Sequence, residues 1–291
     1  MSIKDDTFCP LPWLHLGTHP HGGVTPCCIS DMTAGKNRAR NYGEEREEFF
    51  NLNDHDIETH MNSDYFKEIR LEMLEGKEPV ACKRCYDEER KGIESKRTYE
   101  SKIYRDYDPD YASRLTSKDG SIPMDLRFVE LRLGNVCNVR CRTCNPASSS
   151  RWVADYKKIV DSLDFVNDGY SWLDHKHDFQ WPEDENFYND LFKCAPNMEV
   201  LYINGGEPTL IKAHWKYLEM LVESGRSKNI ILWYNINMTS IPEKAIPLWK
   251  EFKEARVCPS IDDLAHRNKY IRFPTEWSDV ESNLDTILAV P

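Results

Sequence analysis

The 291-residue chain holds no uninterrupted apolar run near the ~18 residues that would predict a membrane span. Its opening residues, MSIKDDTFCPLPW, lack the apolar core of a secretory signal. It has no long basic run, and 38 Lys and Arg against 49 Asp and Glu leave a net charge of −11. Bulk electrostatic binding to nucleic acid or to an anionic membrane is therefore not expected. No repeat of fixed period is present, so a solenoid is excluded. These absences lead us to expect a soluble, cytoplasmic protein with no nucleic-acid or membrane partner.

Ten cysteines stand out against this background. In a reducing cytosol they serve more readily as ligands or free thiols than as disulfides. Hydrophobic residues make up 40% of the chain, with 8 Trp, 14 Tyr and 11 Phe, enough to bury a core in one large domain or two smaller ones.

Three regions differ in character. Residues 1–95 are rich in Cys, His, Pro and Gly, with few strand-like runs. Residues 96–125 are polar, end in Gly and Pro, and read as a linker with some helix. In residues 126–291, strand-like runs (LRFVELRL, MEVLYI, NIILWYNINM, ARVCPSI) alternate with helix-like ones. The helices are SSSRWVADYKKIVDSL with a serine as N-cap, IKAHWKYLEMLVESG closed by Gly225, PEKAIPLWKEFKE, and WSDVESNLDTIL. The last carries Trp277, Val280, Leu284 and Ile287 on one face. Such alternation predicts βαβ units and a parallel sheet. The connection between the first two strands is unusually long. Its acidic, aromatic insert, DFVNDGYSWLDHKHDFQWPEDENFYNDLF, reads either as a cover for a site or as a surface insertion with its own small core.

The stretch VELRLGNVCNVRCRTCNP places Cys137, Cys141 and Cys144 just beyond the first strand, at the end where chemistry gathers in parallel α/β folds. Three thiolates are one short of a closed zinc site and one more than a disulfide needs. They can hold three irons of a [4Fe–4S] cube and leave the fourth open. The spacing alone also admits a zinc site that borrows a ligand. After the second strand comes VLYINGGEPTL, in which Gly205 and Gly206 allow close backbone approach and Glu207 offers a carboxylate ahead of Pro208. Asn235 and Asn237, and likewise Ser260 and Asp262, lie two apart at the ends of the third and fourth strands and are expected to share a face in each pair.

The cysteine loop followed by Gly-Gly-Glu-Pro in strand context resembles the radical S-adenosylmethionine (SAM) superfamily. The resemblance implies that Cys137, Cys141 and Cys144 bind a [4Fe–4S] cluster. SAM would chelate the open iron, with Gly205, Gly206, Glu207, Asn237, Ser260 and Asp262 contacting SAM. An electron from the cluster would cleave SAM to a 5′-deoxyadenosyl radical that abstracts hydrogen from the substrate. Two positions depart from the pattern: Thr143 stands where many relatives carry an aromatic that packs on adenine, and Asp263 where many carry Gly.

In the first region Cys9, the Cys27–Cys28 pair and Cys82-x2-Cys85 can supply four ligands, for zinc or for iron. Between them SDYFKEIRLEMLEG predicts a helix ending at Gly76, with Phe66, Ile69 and Met73 on its apolar face. His15, His19 and His21 read as hairpin-turn residues rather than ligands, and Cys194 and Cys258 as buried thiols. The Cys-Pro-x-Pro-Trp start, the Gly-x-x-x-Pro-Cys-Cys hairpin and the closing C-x2-C resemble one half of a SPASM domain, a twitch domain. The resemblance implies an auxiliary [4Fe–4S] cluster on Cys9, Cys27, Cys82 and Cys85, with Cys28 competing for the place of Cys27.

The expected architecture is thus α/β: a partial (β/α) barrel of the radical SAM type with about four βα units, preceded by a small Cys-rich SPASM/twitch-like domain. In similar proteins the auxiliary domain follows the barrel, and the core has six units. The short count leaves three expectations open: a fragment, a second chain that completes the barrel, or a shortened barrel. The resemblance implies a radical SAM enzyme acting on a peptide or protein, with a reductase as electron donor. The alternatives are an iron–sulfur or electron-transfer protein that does not cleave SAM, and a zinc-stabilised interaction module.

Overall fold

In the computed structural model, residues 6–30, 38–43, 47–161 and 179–290 are described. They form a mixed α/β protein that divides into two compact units. The first comprises residues 1–18, 23–129 and 190–198, and the second residues 19–22, 130–189 and 199–291. Residues 96–125, expected as a linker with some helix, fold within the first unit as two helices, Lys96–Ile103 and Pro109–Leu115. Residues 164–178 of the acidic, aromatic insert lie outside the described residues.

The first unit opens with helix α1 (Leu11–Leu14) and the hairpin β1 (His15–Thr18) and β2 (Val24–Thr25), which pair antiparallel. A second small hairpin, β3 (Arg40–Tyr42) and β4 (Glu47–Phe49), follows. Helices α2 (Ile57–Met61) and α3 (Asp64–Leu74) come next. As expected from the sequence, α3 buries Phe66, Ile69 and Met73 and stops where Gly76 takes φ +77°. Its Arg70 is fully buried and bonds to the carbonyls of Pro12 (3.0 Å), Met61 (2.6 Å) and Gly120 (2.9 Å). One guanidinium thereby ties three distant segments to one helix. Burial pulls its pKa down to about 9. Helices α4 (Lys83–Arg90), α5 (Lys96–Ile103) and α6 (Pro109–Leu115) complete the run before β5 (Phe128–Leu133).

In the second unit the strand order is β5, β7 (Val200–Gly205), β8 (Ile231–Ile236) and β9 (Glu254–Pro259). The pairs β7–β8 and β8–β9 are parallel, with Tyr202 opposite Trp233 and Trp233 opposite Arg256. The predicted βα alternation is present, in a sheet whose described order runs β5, β7, β8, β9. One face of the sheet buries Leu201, Ile203, Leu232, Tyr234 and Ile236, while Tyr202, Trp233 and Asn235 on the other stay half-buried. The edge strand β9 exposes an ion pair between Arg256 and Glu254, a feature that discourages edge pairing.

The helices of this unit are α7 (Val153–Asp161), α8 (Glu185–Cys194, whose last turn belongs to the first unit), α9 (Lys212–Glu223), α10 (Ala245–Trp249), α11 (Ala265–Ile271) and α12 (Trp277–Leu288). The expected apolar face of α12 is only partly covered: Val280 is buried, but Trp277, Leu284 and Ile287 are half-buried. The serine expected to cap the helix after the cysteines does not do so. Ser149 instead donates its hydroxyl to the Val139 carbonyl at 2.5 Å, and a 3-10 turn (Ser150–Trp152) leads into α7. The described end of the insert packs Trp181, Phe187 and Tyr188 edge to face, a small aromatic core of its own.

Burial holds His15, His60 and His214 neutral by desolvation: His15 and His214 at about 3, and His60 at about 4. His214 bridges the Ile211 carbonyl (2.6 Å) and the Tyr234 hydroxyl (2.9 Å). Their folded pKa values lie below the unfolded 6.5, so the unfolded chain binds more protons on acidification. Stability should be fully present above about pH 6.5 and fall by roughly 1.4 kcal/mol per histidine for each pH unit below it. Urea midpoints at pH 7 and pH 5 measure this, and replacing His214 with Gln should flatten the slope.

Candidate metal centres

In the first unit, cysteines from three segments come together. Cys9 lies just before α1, Cys27 just after β2, and Cys82 and Cys85 at the start of α4. The C-x2-C spacing works because Cys82 is the N-cap residue and Cys85 lies in the first turn, so both sit at a helix N-terminus. The turn that carries Cys27 is pinned: its carbonyl accepts from Thr25 Oγ1 (3.1 Å) and Ser30 Oγ (2.9 Å), and His15 Nδ1 donates to the Pro26 carbonyl at 2.9 Å. The segment before Cys9 is held by Tyr86 Oη on the Thr7 carbonyl (2.7 Å) and Arg97 Nη1 on the Phe8 carbonyl (2.9 Å).

Cys9, Cys27, Cys82 and Cys85 line one cavity with Leu11, Ile29, Ser30, Lys96 and Arg97; its empty volume, open solvent included, is about 310 Å³. Cys28 is not among its lining residues. None of the ten cysteines is in a disulfide. Burial raises the pKa of all four thiols, Cys27 to about 12. At Cys85 the Arg97 N–H and the Ser95 hydroxyl work against burial. Sequence reasoning missed Ser95, Lys96 and Arg97. Two adjacent basic residues shortly after the C-x2-C were the available signal, hidden inside a polar stretch taken for a linker.

In the second unit, Gly134 at φ +63° turns the chain off β5 into the loop that carries Cys137, Cys141 and Cys144. Cys137 and Cys141 are buried, Cys144 is half-buried, and the three form one packed group with Val139. The Cys141 carbonyl accepts from the Cys144 N–H (3.0 Å) and from Trp152 Nε1 (2.8 Å). Hydrogen bonding from the Cys141 thiol holds the Cys144 pKa below the ordinary thiol value, and in return Cys141 is raised. Arg140–Cys141 (β6) pairs antiparallel with Arg272–Phe273 (β10). Arg272 Nη1 comes within 3.7 Å of Cys141 Sγ, and its Nε is ion-paired with Asp262 at 2.7 Å, off the hydrogen-bond direction.

The Gly-Gly-Glu-Pro turn is locked to this loop through backbone. Gly206 N–H donates to the Gly134 carbonyl (3.1 Å) and Glu207 N–H to that of Val136 (2.8 Å). The approach is close: a Cβ on Gly206 would lie 2.2 Å from the Val136 oxygen, and Gly205 sits at φ +127°. Glu207 is buried, and desolvation raises its pKa. Its carboxylate accepts from the Thr209 N–H (3.2 Å), the Thr209 hydroxyl (2.7 Å) and the Asn237 N–H (2.7 Å). That fills three of its roughly four lone-pair sites. Asn237 lies past the end of β8, bonds to Asn138 of the cysteine loop (2.8 Å), and accepts from the Thr239 hydroxyl (2.7 Å). Asn235, still in the strand, donates instead to the Tyr202 hydroxyl at 2.6 Å, so the two asparagines serve different partners. Ser260 follows the end of β9, and its N–H donates to the Ile236 carbonyl at 2.8 Å. The three loops beyond β5, β7 and β8 are thus one hydrogen-bonded assembly, to which Asn138 and Arg272 are additions that no spacing in the sequence revealed.

Cys194, Cys258, His15, His19 and His21 have local partners. Cys194 Sγ lies 3.7 Å from Asp190, and Trp233 Nε1 donates to Cys258 Sγ at 3.0 Å. His15 packs on Phe128, and His19 and His21 stack in the turn between β1 and β2. Among the described residues, no three His, Cys, Asp or Glu side chains converge on a single metal-ion position.

Gly206→Ala should push the two locked loops apart and cost about 1–3 kcal/mol, the range for overpacking. Gly92→Ala, at φ +74° with open space around its Cβ, carries only the left-handed strain of about 1–2 kcal/mol. Urea midpoints rank the two. Faster labelling of Cys137 and Cys141 by a thiol reagent is expected for Gly206→Ala alone.

Comparison with known families bears on the first unit. Residues 9–86 match the family model of the SPASM iron–sulfur cluster-binding domain. No curated protein and no solved structure matches the chain. The matched segment contains Cys9, Cys27, Cys82 and Cys85, the four thiols that line the cavity of the first unit.

Proposed function

We propose that the chain is a radical SAM enzyme with an auxiliary [4Fe–4S] cluster in its first unit, acting on a peptide or protein. The observation that carries the reading is the interlock of the C-x3-C-x2-C loop with the Gly-Gly-Glu-Pro turn, at the ends of neighbouring strands, in a chain whose residues 9–86 match an iron–sulfur domain. The four thiols of the first unit line one cavity, and a four-iron cluster takes one thiolate on each iron.

Cys9, Cys27, Cys82 and Cys85 would hold the auxiliary cluster with all four irons ligated. Cys137, Cys141 and Cys144 would hold the second, leaving one iron open to SAM. When bound there, that cluster would supply the electron for reductive cleavage of SAM. The protein's part is position. The Gly205–Gly206 backbone locks its turn to the cysteine loop, and Glu207 fixes the ends of β7 and β8 through its buried carboxylate. Arg272 places a positive charge beside Cys141 and holds the Asp262 carboxylate. The four βα units form the partial barrel of this reading, and a reductase in the cytoplasm would supply electrons.

A second reading, an iron–sulfur or electron-carrier protein without SAM cleavage, is favoured by how fully Glu207 and Asp262 are engaged inside the protein. Anaerobic reconstitution decides between them. About eight irons per chain are expected for two four-iron clusters, and dithionite with SAM should yield 5′-deoxyadenosine. Cys144→Ala should abolish that product and leave about four irons. Two clusters with no 5′-deoxyadenosine would support the second reading; product formation by Cys144→Ala would refute the site assignment.

A further inference from the structure

Helix α5 lies outside the segment that matches the iron–sulfur domain, yet its first two residues wall the four-cysteine cavity. Lys96 and Arg97 both line it, and no carboxylate does. The helix start is firmly set: Ser95 and Thr98 cap each other's backbone N–H groups, both at 3.1 Å. The two cations differ in their other ties. Arg97 bonds to the Phe8 carbonyl (2.9 Å) and Glu89 (2.9 Å) and lies over the Tyr86 ring, so it builds the wall. Lys96 has one carboxylate partner, Glu100, a turn further along the helix at 2.9 Å, and lies 5.6 Å from the Phe128 ring centroid. The Glu100 side chain is 6% exposed and stays off the cavity lining, while that of Lys96 is 22% exposed. The Lys96 ammonium is near enough to Cys28 and Cys27 for its charge to act on both, while Glu100 stays off the cavity lining.

From this geometry we propose that Lys96 tunes the reduction potential of the cluster held by Cys9, Cys27, Cys82 and Cys85, with Glu100 setting how strongly. The inference rests on reading the first unit as a cluster domain. Each electron accepted from an external reductant makes a thiolate-ligated cluster one charge more negative, and no bond is made or broken. A cation fixed beside it in a poorly solvated cavity favours the reduced form, and a carboxylate that partly neutralises that cation weakens the preference. Lys96 is thus a positioning charge; it touches no substrate.

The test uses the full chain with Cys137, Cys141 and Cys144 replaced by Ser, so that only the first-unit cluster reports. Potentiometric titration is followed by EPR and visible absorption. At the parent's midpoint, Lys96→Met should raise the oxidised-to-reduced ratio about tenfold, which for a one-electron couple is about 59 mV to lower potential. Glu100→Gln keeps the side chain's size but removes the counter-charge, and should move the midpoint the other way. Lys96→Arg should stay close to the parent. Opposite shifts support the proposal, because a merely structural pair would move both variants alike. Unchanged midpoints, or shifts of the same sign, in variants that retain about four irons overturn it. If Lys96→Met takes up no iron, Glu100→Gln and Lys96→Arg decide by the same criteria. A parent that binds no iron overturns the cluster reading itself, a separate failure seen before any titration.

Discussion

Burial of sulfur without disulfide bonding is the constraint around which both units are arranged. A thiol in an apolar cavity resists ionisation, as the raised pKa values of Cys9, Cys27, Cys82 and Cys85 show. A metal cluster needs thiolates, and its own charge reverses that preference. The surroundings are set for the reversal. Cys82 and Cys85 stand at a helix N-terminus, the Arg97 N–H and Ser95 hydroxyl favour ionised Cys85, and Lys96 and Arg97 line the same cavity. In the second unit, the bond from Cys141 and the charge of Arg272 favour the Cys144 thiolate.

The second unit adds a steric condition. Its cysteine loop is held by backbone hydrogen bonds to a turn that approaches too closely for any side chain at Gly206. Glu207 then joins that turn to the end of β8 through a buried carboxylate, a costly group to bury unless its acceptor sites are filled. The glycines that bring the loops together are those at which a side chain would strike the backbone of Leu133 or Val136.

Much of this was legible in the sequence, for local reasons. Strand and helix periodicity revealed the βα alternation, and α3 ends at Gly76 and α9 near Gly225 because the left-handed residue that closes each helix is glycine. The cysteine loop and the Gly-Gly-Glu-Pro turn were visible because their spacings are short. What stayed hidden depends on contacts distant in sequence. Arg272 reaches Cys141 across 131 residues, and Asn138 meets Asn237 across 99. The polar stretch 96–125 read as a linker because its helices bury little, although Lys96 and Arg97 complete the cavity. Asn235 and Asn237 take different partners, Tyr202 and Asn138, and β8 ends between them at Ile236.

The central claim is that three thiolates hold a cluster with one iron open to SAM. EPR of the dithionite-reduced protein, with Cys82 and Cys85 replaced by Ser to silence the other cluster, tests it most directly. Addition of SAM should change the g-values of the remaining cluster signal, because the open iron gains ligands. A signal of full intensity that does not respond to saturating SAM would contradict the account.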